Sequence, residues 1–176
     1  MAAFLHTRYA LAIKWLLCLG PFFYVSYGFA NYWASLQADV PSVVFAWEAH
    51  IPFVAWTIIP YWTLNGFYAL SLFMPKQKTE VNALGRRLLT AQIIAVSCFI
   101  FHPLAYTFSK PAHIDGLAGL LFTALAGFDK PFNQAPSLHI ALVVLLLPTY
   151  WRACVAWLRP LLVGWFGLIV VSVLTT

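Results

Sequence analysis

The residues best suited to chemistry open an apolar segment in the second half of the chain. Ser137 and His139 stand at its start and Pro136 precedes them. Proline suits a first helical turn, where its missing N–H costs nothing. The sequence therefore predicts a helix that starts at Pro136 or Ser137, with Asn133 or Ala135 in the cap region. Free N–H groups at such a helix start bind anions, and a hydroxyl and an imidazole beside them suit a phosphate group.

Two lysines are predicted to share the membrane face with this helix start. Lys130 comes several residues before Ser137, and Lys110 lies at the other end of the same long loop. Their ammonium groups would add positive charge for a phosphate. A simpler interpretation is that Ser137 only caps the helix and that His139 lies at the membrane interface, with its polar tip in water. The residues alone leave both interpretations open.

Other acidic and histidine side chains are predicted on the same face, but they indicate no metal centre. They are Glu48, His50, His102, His113 and Asp115. Histidine and carboxylate are metal ligands, yet these spacings match no recognised metal pattern. We therefore predict neither a metal nor another cofactor.

Composition identifies the class of protein. Of the 176 residues, 62% are hydrophobic, 18% aromatic and 9% charged. Disorder requires low hydrophobicity and high charge, and a soluble domain requires more charged residues than these to cover its surface. The sequence therefore predicts an all-α, polytopic membrane protein. The net charge of +5 is explained by cationic loops beside an anionic leaflet, so nucleic acid is not predicted as a partner.

Hydropathy divides the chain into five predicted spans, of which the fourth is short and at the lower limit of the length that can cross a bilayer. The spans cover Tyr9–Trp33, Ile51–Met74, Leu88–Tyr106, Ser137–Trp151 and Leu161–Thr176. Pro60 is predicted to kink the second span or to unwind it locally. The connections are predicted as an interfacial helix over Val40–Pro52, an exposed loop over Pro75–Arg87, a re-entrant or interfacial helix over Ile114–Phe128, and a tight basic turn over Arg152–Pro160.

The cations agree with five spans. Eight of the ten fall at the N-terminus, between spans two and three, and between spans four and five, namely Arg8, Lys14, Lys76, Lys78, Arg86, Arg87, Arg152 and Arg159. With five spans these segments share one side of the membrane. The positive-inside rule predicts that this side is the cytoplasm. The loop with Lys110 and Lys130 would then lie outside it.

The segment APSLHIA, Ala135–Ala141, resembles the second signature of the type-2 phosphatidic acid phosphatase superfamily, in its inositolphosphotransferase-like branch. That superfamily carries the signatures KxxxxxxRP, PSGH and SRxxxxxHxxxD on six helices, and PSLH is common in this branch. The first two signatures stand at the ends of the loop between helices three and four, which the predicted spans match. The segments EAHIPF and IIPYW also resemble this branch.

The other two signatures match less well. Ser109–Pro111 (SKP) stands where RP is expected, with Lys110 for arginine, and Pro103 stands where lysine is expected, with His102 nearby. No segment matches the third signature. We therefore expect residues 1–176 to form one transmembrane domain, truncated before that signature, that comprises the first five helices of a longer protein and is inactive alone.

The resemblance implies a mechanism. A histidine of the third signature attacks phosphorus and forms a phosphohistidine. His139 would protonate the leaving alcohol, and Ser137, Lys110 and Lys130 would hold the phosphoryl oxygens. The protein would act on lipid phosphates as a phosphatase or phosphotransferase, without a cofactor, on the outer face of a bacterial inner membrane.

Two other functions are compatible with these residues. A non-catalytic lipid-binding or scaffolding domain with the same fold is favoured by the altered first signature. A small transporter or channel component is disfavoured because the predicted spans carry almost no charge.

Overall fold

A computed structural model describes residues 2–106, 111 and 113–176, with side chains from residue 7 onward. Over these residues the chain is helical and contains no β-strand, which confirms the all-α class. The helices are α1 (Ala2–Ser35), α2 (Ile58–Ser71), α3 (Lys78–Phe101), α4 (Gly116–Ala126), α5 (Leu138–Ala153) and α6 (Arg159–Thr175). Lys110, one of the predicted phosphate ligands, lies outside the described residues.

Three segments of the described chain are long and apolar enough to cross a bilayer. They are Thr7–Ser35, Lys78–Phe101 and Ala156–Thr175. The apolar helices α4 and α5 are shorter, and α2 has 14 residues. These lengths are consistent with a membrane protein.

The predicted exposed loop over Pro75–Arg87 is wrong for most of its length, because α3 already begins at Lys78. Gln77 and Glu80 form a capping box there. The Glu80 carboxylate accepts the backbone N–H of Gln77 at 3.1 Å and that of Lys76 at 2.9 Å. The polar residues of this segment are therefore the first turns of a long helix.

The region around the second predicted span is less helical than expected. Only Ile58–Ser71 forms α2, and the predicted interfacial helix over Val40–Pro52 is reduced to a single 3₁₀ turn at Glu48–His50. Contrary to the prediction of a kink, Pro60 lies in the first turn of α2. There the proline needs no N–H partner, so it helps to start the helix.

Other boundaries shift by a few residues. Helix α3 ends at Phe101 instead of Tyr106, because Pro103 disfavours helical backbone at the residue before it. Helix α6 begins at Arg159, so the predicted basic turn is shorter. Helix α4 lies inside the predicted 114–128 segment.

Contacts between helix ends show that the five longest helices alternate in direction. Helix α1 packs along α3, and α5 packs against α2, α3 and α6. Tyr27 near the end of α1 meets Phe99 at the end of α3, with 5.9 Å between ring centroids. The N–H of Val54, just before α2, donates to the carbonyl of Thr175 at the end of α6 at 2.9 Å. The two pairs of ends meet at Asp129, which accepts a hydrogen bond from Tyr27 near the end of α1 and lies beside Tyr61 at the start of α2. Helices α1, α3 and α6 therefore end where α2 begins, and we call this the site end of the bundle.

The opposite end of the described bundle is cationic. It carries the helix ends and turns with Arg8, Lys76, Lys78, Arg86, Arg87, Arg152 and Arg159. A cavity of about 370 Å³ opens there and is lined by Lys76, Arg87 and Arg152. The site end carries Asp39, Glu48, Asp115, Asp129 and Lys130. The two ends of the bundle thus differ in the sign of their charge.

Polar side chains join α2 to three other helices. Tyr68 accepts a hydrogen bond from the Gln92 amide of α3 at 2.7 Å, and Thr63 accepts one from the Trp165 indole of α6 at 3.0 Å. The Tyr150 hydroxyl of α5 donates to the Phe67 carbonyl at 2.7 Å. Such bonds hold helices together where apolar surroundings give little driving force.

Candidate functional site

Helices α2 and α5 both begin at the site end, and their first turns place two aromatic rings together. His139 of α5 is half-buried and stacks on Tyr61 of α2, with 4.0 Å between ring centroids and 22° between ring planes. This contact fixes the plane of the imidazole ring. A proton donor or acceptor in a defined orientation is what acid–base chemistry requires.

Ser137 is the N-cap of α5, which corrects the prediction that it lies in the first turn. Its backbone is extended, so Pro136 lies outside the helix and neither Asn133 nor Ala135 is the cap. The Ser137 Oγ accepts the N–H of Ile140 at 3.4 Å. This bond is long, and it does not use the hydroxyl proton. Ser137 can therefore cap the helix and still donate to a ligand.

Asp129, which the sequence did not single out as a site residue, brings α1 and α2 together at this end. It is partly buried in the loop between α4 and α5. The Tyr27 hydroxyl of α1 donates to its carboxylate, and the Tyr61 hydroxyl of α2 lies beside the same carboxylate. Asp129, Tyr27, Tyr61 and His139 thus form a connected cluster, which we call the tyrosine–aspartate cluster.

The backbone around Asp129 is held in place on both sides. The Phe128 ring stacks on the Tyr27 ring, with 5.5 Å between centroids. The carbonyls of Pro131 and Phe132 accept the N–H groups of Tyr106 and Leu104 at 2.8 and 3.0 Å. The loop that leads into α5 is therefore anchored to α1 and to the segment after α3.

Several buried amide groups lie in the elements that build the site end. The side-chain nitrogen and oxygen of Asn31 and of Asn133, and Oε1 of Gln134, are buried and have no hydrogen-bond partner within the described part of the chain. Native proteins leave few such groups unpaired. These groups are suited to hydrogen-bond a polar ligand.

The other charged and histidine residues considered from the sequence lie outside the tyrosine–aspartate cluster. Lys130 follows Asp129 directly and is exposed, so its ammonium can move toward an anion. His113 pairs with Asp115 at 2.9 Å in an exposed position. Among the described residues no three histidine, cysteine or acidic side chains are grouped to hold a metal ion.

An apolar groove of about 380 Å³ runs between α3 and α5. Alanine and larger aliphatic residues form its walls, and Ser137 is its one hydroxyl-bearing residue. The lining residues are Ala91, Ile94, Ala95, Pro136, Ser137, Leu138, Ala141, Val144 and Leu145. The groove thus leads along the bundle to the cap of α5.

A signal for the tyrosine–aspartate cluster was present in the sequence. Asp129 is one of only five acidic residues in the chain and is flanked closely by Phe128, Pro131 and Phe132. A carboxylate among apolar residues is expected to be paired when it is buried. Its partners could not be inferred, because Tyr27 and Tyr61 are distant in sequence and belong to a large set of aromatic residues.

Comparisons with known proteins add no relative. The chain matches no protein-family model, no curated protein and no solved structure. A functional proposal therefore depends on the resemblance of residues 135–141 to a signature and on the geometry around them.

Proposed function

We propose that this chain is the helical membrane domain of a lipid-phosphate phosphatase or phosphotransferase of the type-2 phosphatidic acid phosphatase kind. The observation that carries the proposal is the position of His139. It lies in the first turn of a helix that is capped by Ser137, and its ring is held by Tyr61. The helix start favours the phosphate group, and the imidazole is placed to move a proton beside it.

In this proposal five helices cross the membrane, namely α1, α2, α3, α5 and α6. Their alternating direction and the cationic end of the bundle support that count and a cytoplasmic N-terminus. The site end would then face outward from a bacterial inner membrane. Helix α4 would lie in the interface or re-enter the bilayer.

The proposed reaction has two steps. A nucleophilic histidine nitrogen attacks phosphorus while the ester P–O bond breaks, and protonated His139 gives its proton to the departing alkoxide oxygen. Water or an alcohol then attacks the phosphohistidine and gives its proton to His139 as the P–N bond breaks. The nucleophile is implied only by the resemblance, since no segment of these 176 residues matches the third signature.

The charge that develops on phosphorus must be neutralised in both steps. Ser137, Lys130 and Lys110 are the proposed phosphate ligands, together with the free N–H groups at the start of α5. These groups need no metal ion. The buried amide of Asn133 offers a further donor.

The groove between α3 and α5 supports a lipid as the substrate. Its lining is almost entirely apolar, and its polar residue is the proposed phosphate ligand Ser137. An acyl chain in the groove would place the headgroup phosphate at the cap of α5. The substrate would then enter sideways from the outer leaflet.

The full-length gene product, purified in detergent, tests the proposal. With a chelator present, we expect release of inorganic phosphate from long-chain lipid phosphates, or transfer of the phosphoryl group to an added alcohol. Absence of both reactions would contradict an enzymatic function. It would favour the non-catalytic lipid-binding function, which the altered first signature at 109–111 also favours.

A substitution in the groove tests the lipid-binding mode. In Ala141→Phe the larger ring fills part of the groove, so we expect KM for a long-chain lipid phosphate to rise about tenfold or more, because each methylene that remains in water costs about 0.8 kcal/mol. KM for a short-chain analogue should change little. Ala153→Phe, at the exposed far end of α5, is the control. An equal change in KM for both chain lengths would contradict acyl-chain binding in the groove.

A further inference from the structure

We infer that Asp129 is a positioning residue for the proposed acid His139 and acts through the ring of Tyr61. The inference rests on the proposed function, since it assigns a role within that reaction. Neither the signature residues nor the resemblance points to Asp129. Its evidence is the set of contacts in the tyrosine–aspartate cluster.

The location of Asp129 requires an explanation. A carboxylate loses favourable hydration when it is buried, and ionisable groups at membrane depth are rare and commonly functional. Asp129 is partly buried at the end of an apolar bundle, where the Tyr27 hydroxyl donates a hydrogen bond to it and the Tyr61 hydroxyl lies beside it. Hydrogen bonds to a charged acceptor are among the stronger ones. The two tyrosine hydroxyls therefore restrain the Asp129 carboxylate, and the carboxylate in turn restrains both tyrosine side chains.

The consequence for His139 follows from the shape of Tyr61. A tyrosine ring is rigid, so an anchored hydroxyl fixes the direction of the long axis of the ring, and because a phenol O–H prefers to lie in the ring plane, it also favours one orientation of that plane. The His139 imidazole lies on that ring at 4.0 Å and nearly parallel to it. Without Asp129 the ring of Tyr61 would lose its anchor, and the imidazole would lose the surface that orients it. A displacement of about 1 Å in a catalytic group can reduce a rate about 100-fold.

A direct role for Asp129 as a phosphate ligand is not favoured. Both groups are anionic and would repel each other. The Tyr27 hydroxyl donates to the carboxylate and the Tyr61 hydroxyl lies beside it, so both hydroxyls reduce the field of the carboxylate at a nearby anion. Asp129 also connects the loop before α5 to α1, so its contacts join three elements of the site end.

The test compares two substrates that differ in their leaving group. An alkyl phosphate releases an alcohol that needs a proton from an acid, whereas a nitrophenyl phosphate with an alkyl chain of equal length releases a stable anion without one. In the full-length gene product, we expect Asp129→Asn to lower kcat/KM for the alkyl phosphate about tenfold or more. The nitrophenyl substrate should change less than about threefold. A purely structural defect would lower both values equally.

Two further variants complete the design. Tyr61→Phe keeps the ring and removes only its hydroxyl, so we expect the same selective loss of activity on the alkyl phosphate. If Asp129→Asn does not fold, this variant tests the positioning role by itself. Asp115→Asn is the matched control, since Asp115 is an exposed carboxylate at the same end of the bundle. It should change neither value.

The outcomes separate this inference from the proposed function. An inactive wild-type protein overturns both. A second outcome is an active wild type in which His139→Ala loses activity only on the alkyl phosphate. If Asp129→Asn and Tyr61→Phe then change kcat/KM for both substrates equally, or for neither, the role of Asp129 is overturned and the proposed function stands. Selective loss in these variants supports both.

Discussion

Replacing His139 by alanine is expected to lower kcat/KM of the full-length gene product on an alkyl lipid phosphate by at least about 100-fold. General acid catalysis typically contributes about 10²–10⁴ to a rate. The substitution also removes the group that would accept the proton of water in the second step. Because the imidazole stacks on Tyr61 at the surface of α5, its loss leaves a small space and no buried charge. The expected defect is therefore in the reaction rather than in folding.

Two measurements separate these effects. Thermal unfolding in detergent should shift by only a few degrees in His139→Ala, and the nitrophenyl substrate should retain most of its kcat/KM. Substitution of His113, an exposed histidine at the same end of the bundle, should leave both substrates unaffected. A His139→Ala protein with wild-type turnover of the alkyl phosphate would remove His139 from the mechanism.

The largest expected loss of stability comes from Gly85→Val. Gly85 is buried on α3 where that helix meets α1, and a Cβ atom there would lie only 2.3–2.8 Å from atoms of the Trp15 ring. The indole is not free to swing away, since its N–H donates to Asn82 at 2.9 Å. The helices must separate or the indole must break that bond. Overpacking of this kind costs about 1–3 kcal/mol. Valine also brings two γ-methyl groups, which add to the clash with the Trp15 ring.

We expect the unfolding free energy of Gly85→Val, measured by denaturant titration in detergent, to fall by about 2–3 kcal/mol. Gly28→Val on α1 is the matched control, because a Cβ atom at Gly28 would have no atom of a neighbouring helix within 4 Å. That change should therefore cost little. Equal stability of the two variants would mean that α1 and α3 do not approach closely at Gly85.

How far the sequence predicts this structure depends on the element. The helical class and the α5 segment follow directly from hydropathy and from proline and serine at 136–137. The start of α3 could not be predicted from hydropathy, because the polar end of an amphipathic helix resembles a loop in composition. The buried residues Val81, Leu84 and Leu88 are three and four positions apart, which is the spacing of one face of a helix.

The candidate site divides in the same way. Ser137 and His139 are adjacent to a helix start and could be found from local signals. The partnership of Asp129 with Tyr27 and Tyr61 joins residues about 100 and 70 positions apart, and no local pattern encodes such a contact. Sequence periodicity predicts which face of a helix is apolar, but not which of several tyrosines a carboxylate will meet.

The hydrogen bonds that join α2 to three other helices have a consequence for the proposed insertion of the chain into a membrane. With 14 residues it is the shortest of the five helices proposed to cross the bilayer, and it carries hydrophilic groups at Thr63, Asn65 and Tyr68. Its partners Gln92, Tyr150 and Trp165 all belong to helices that the ribosome makes afterwards. In the proposed five-span topology, α2 would therefore stay beside the translocon, or in a shallow position, until α3, α5 and α6 are made. Insertion of this helix would then be coupled to synthesis of the rest of the bundle.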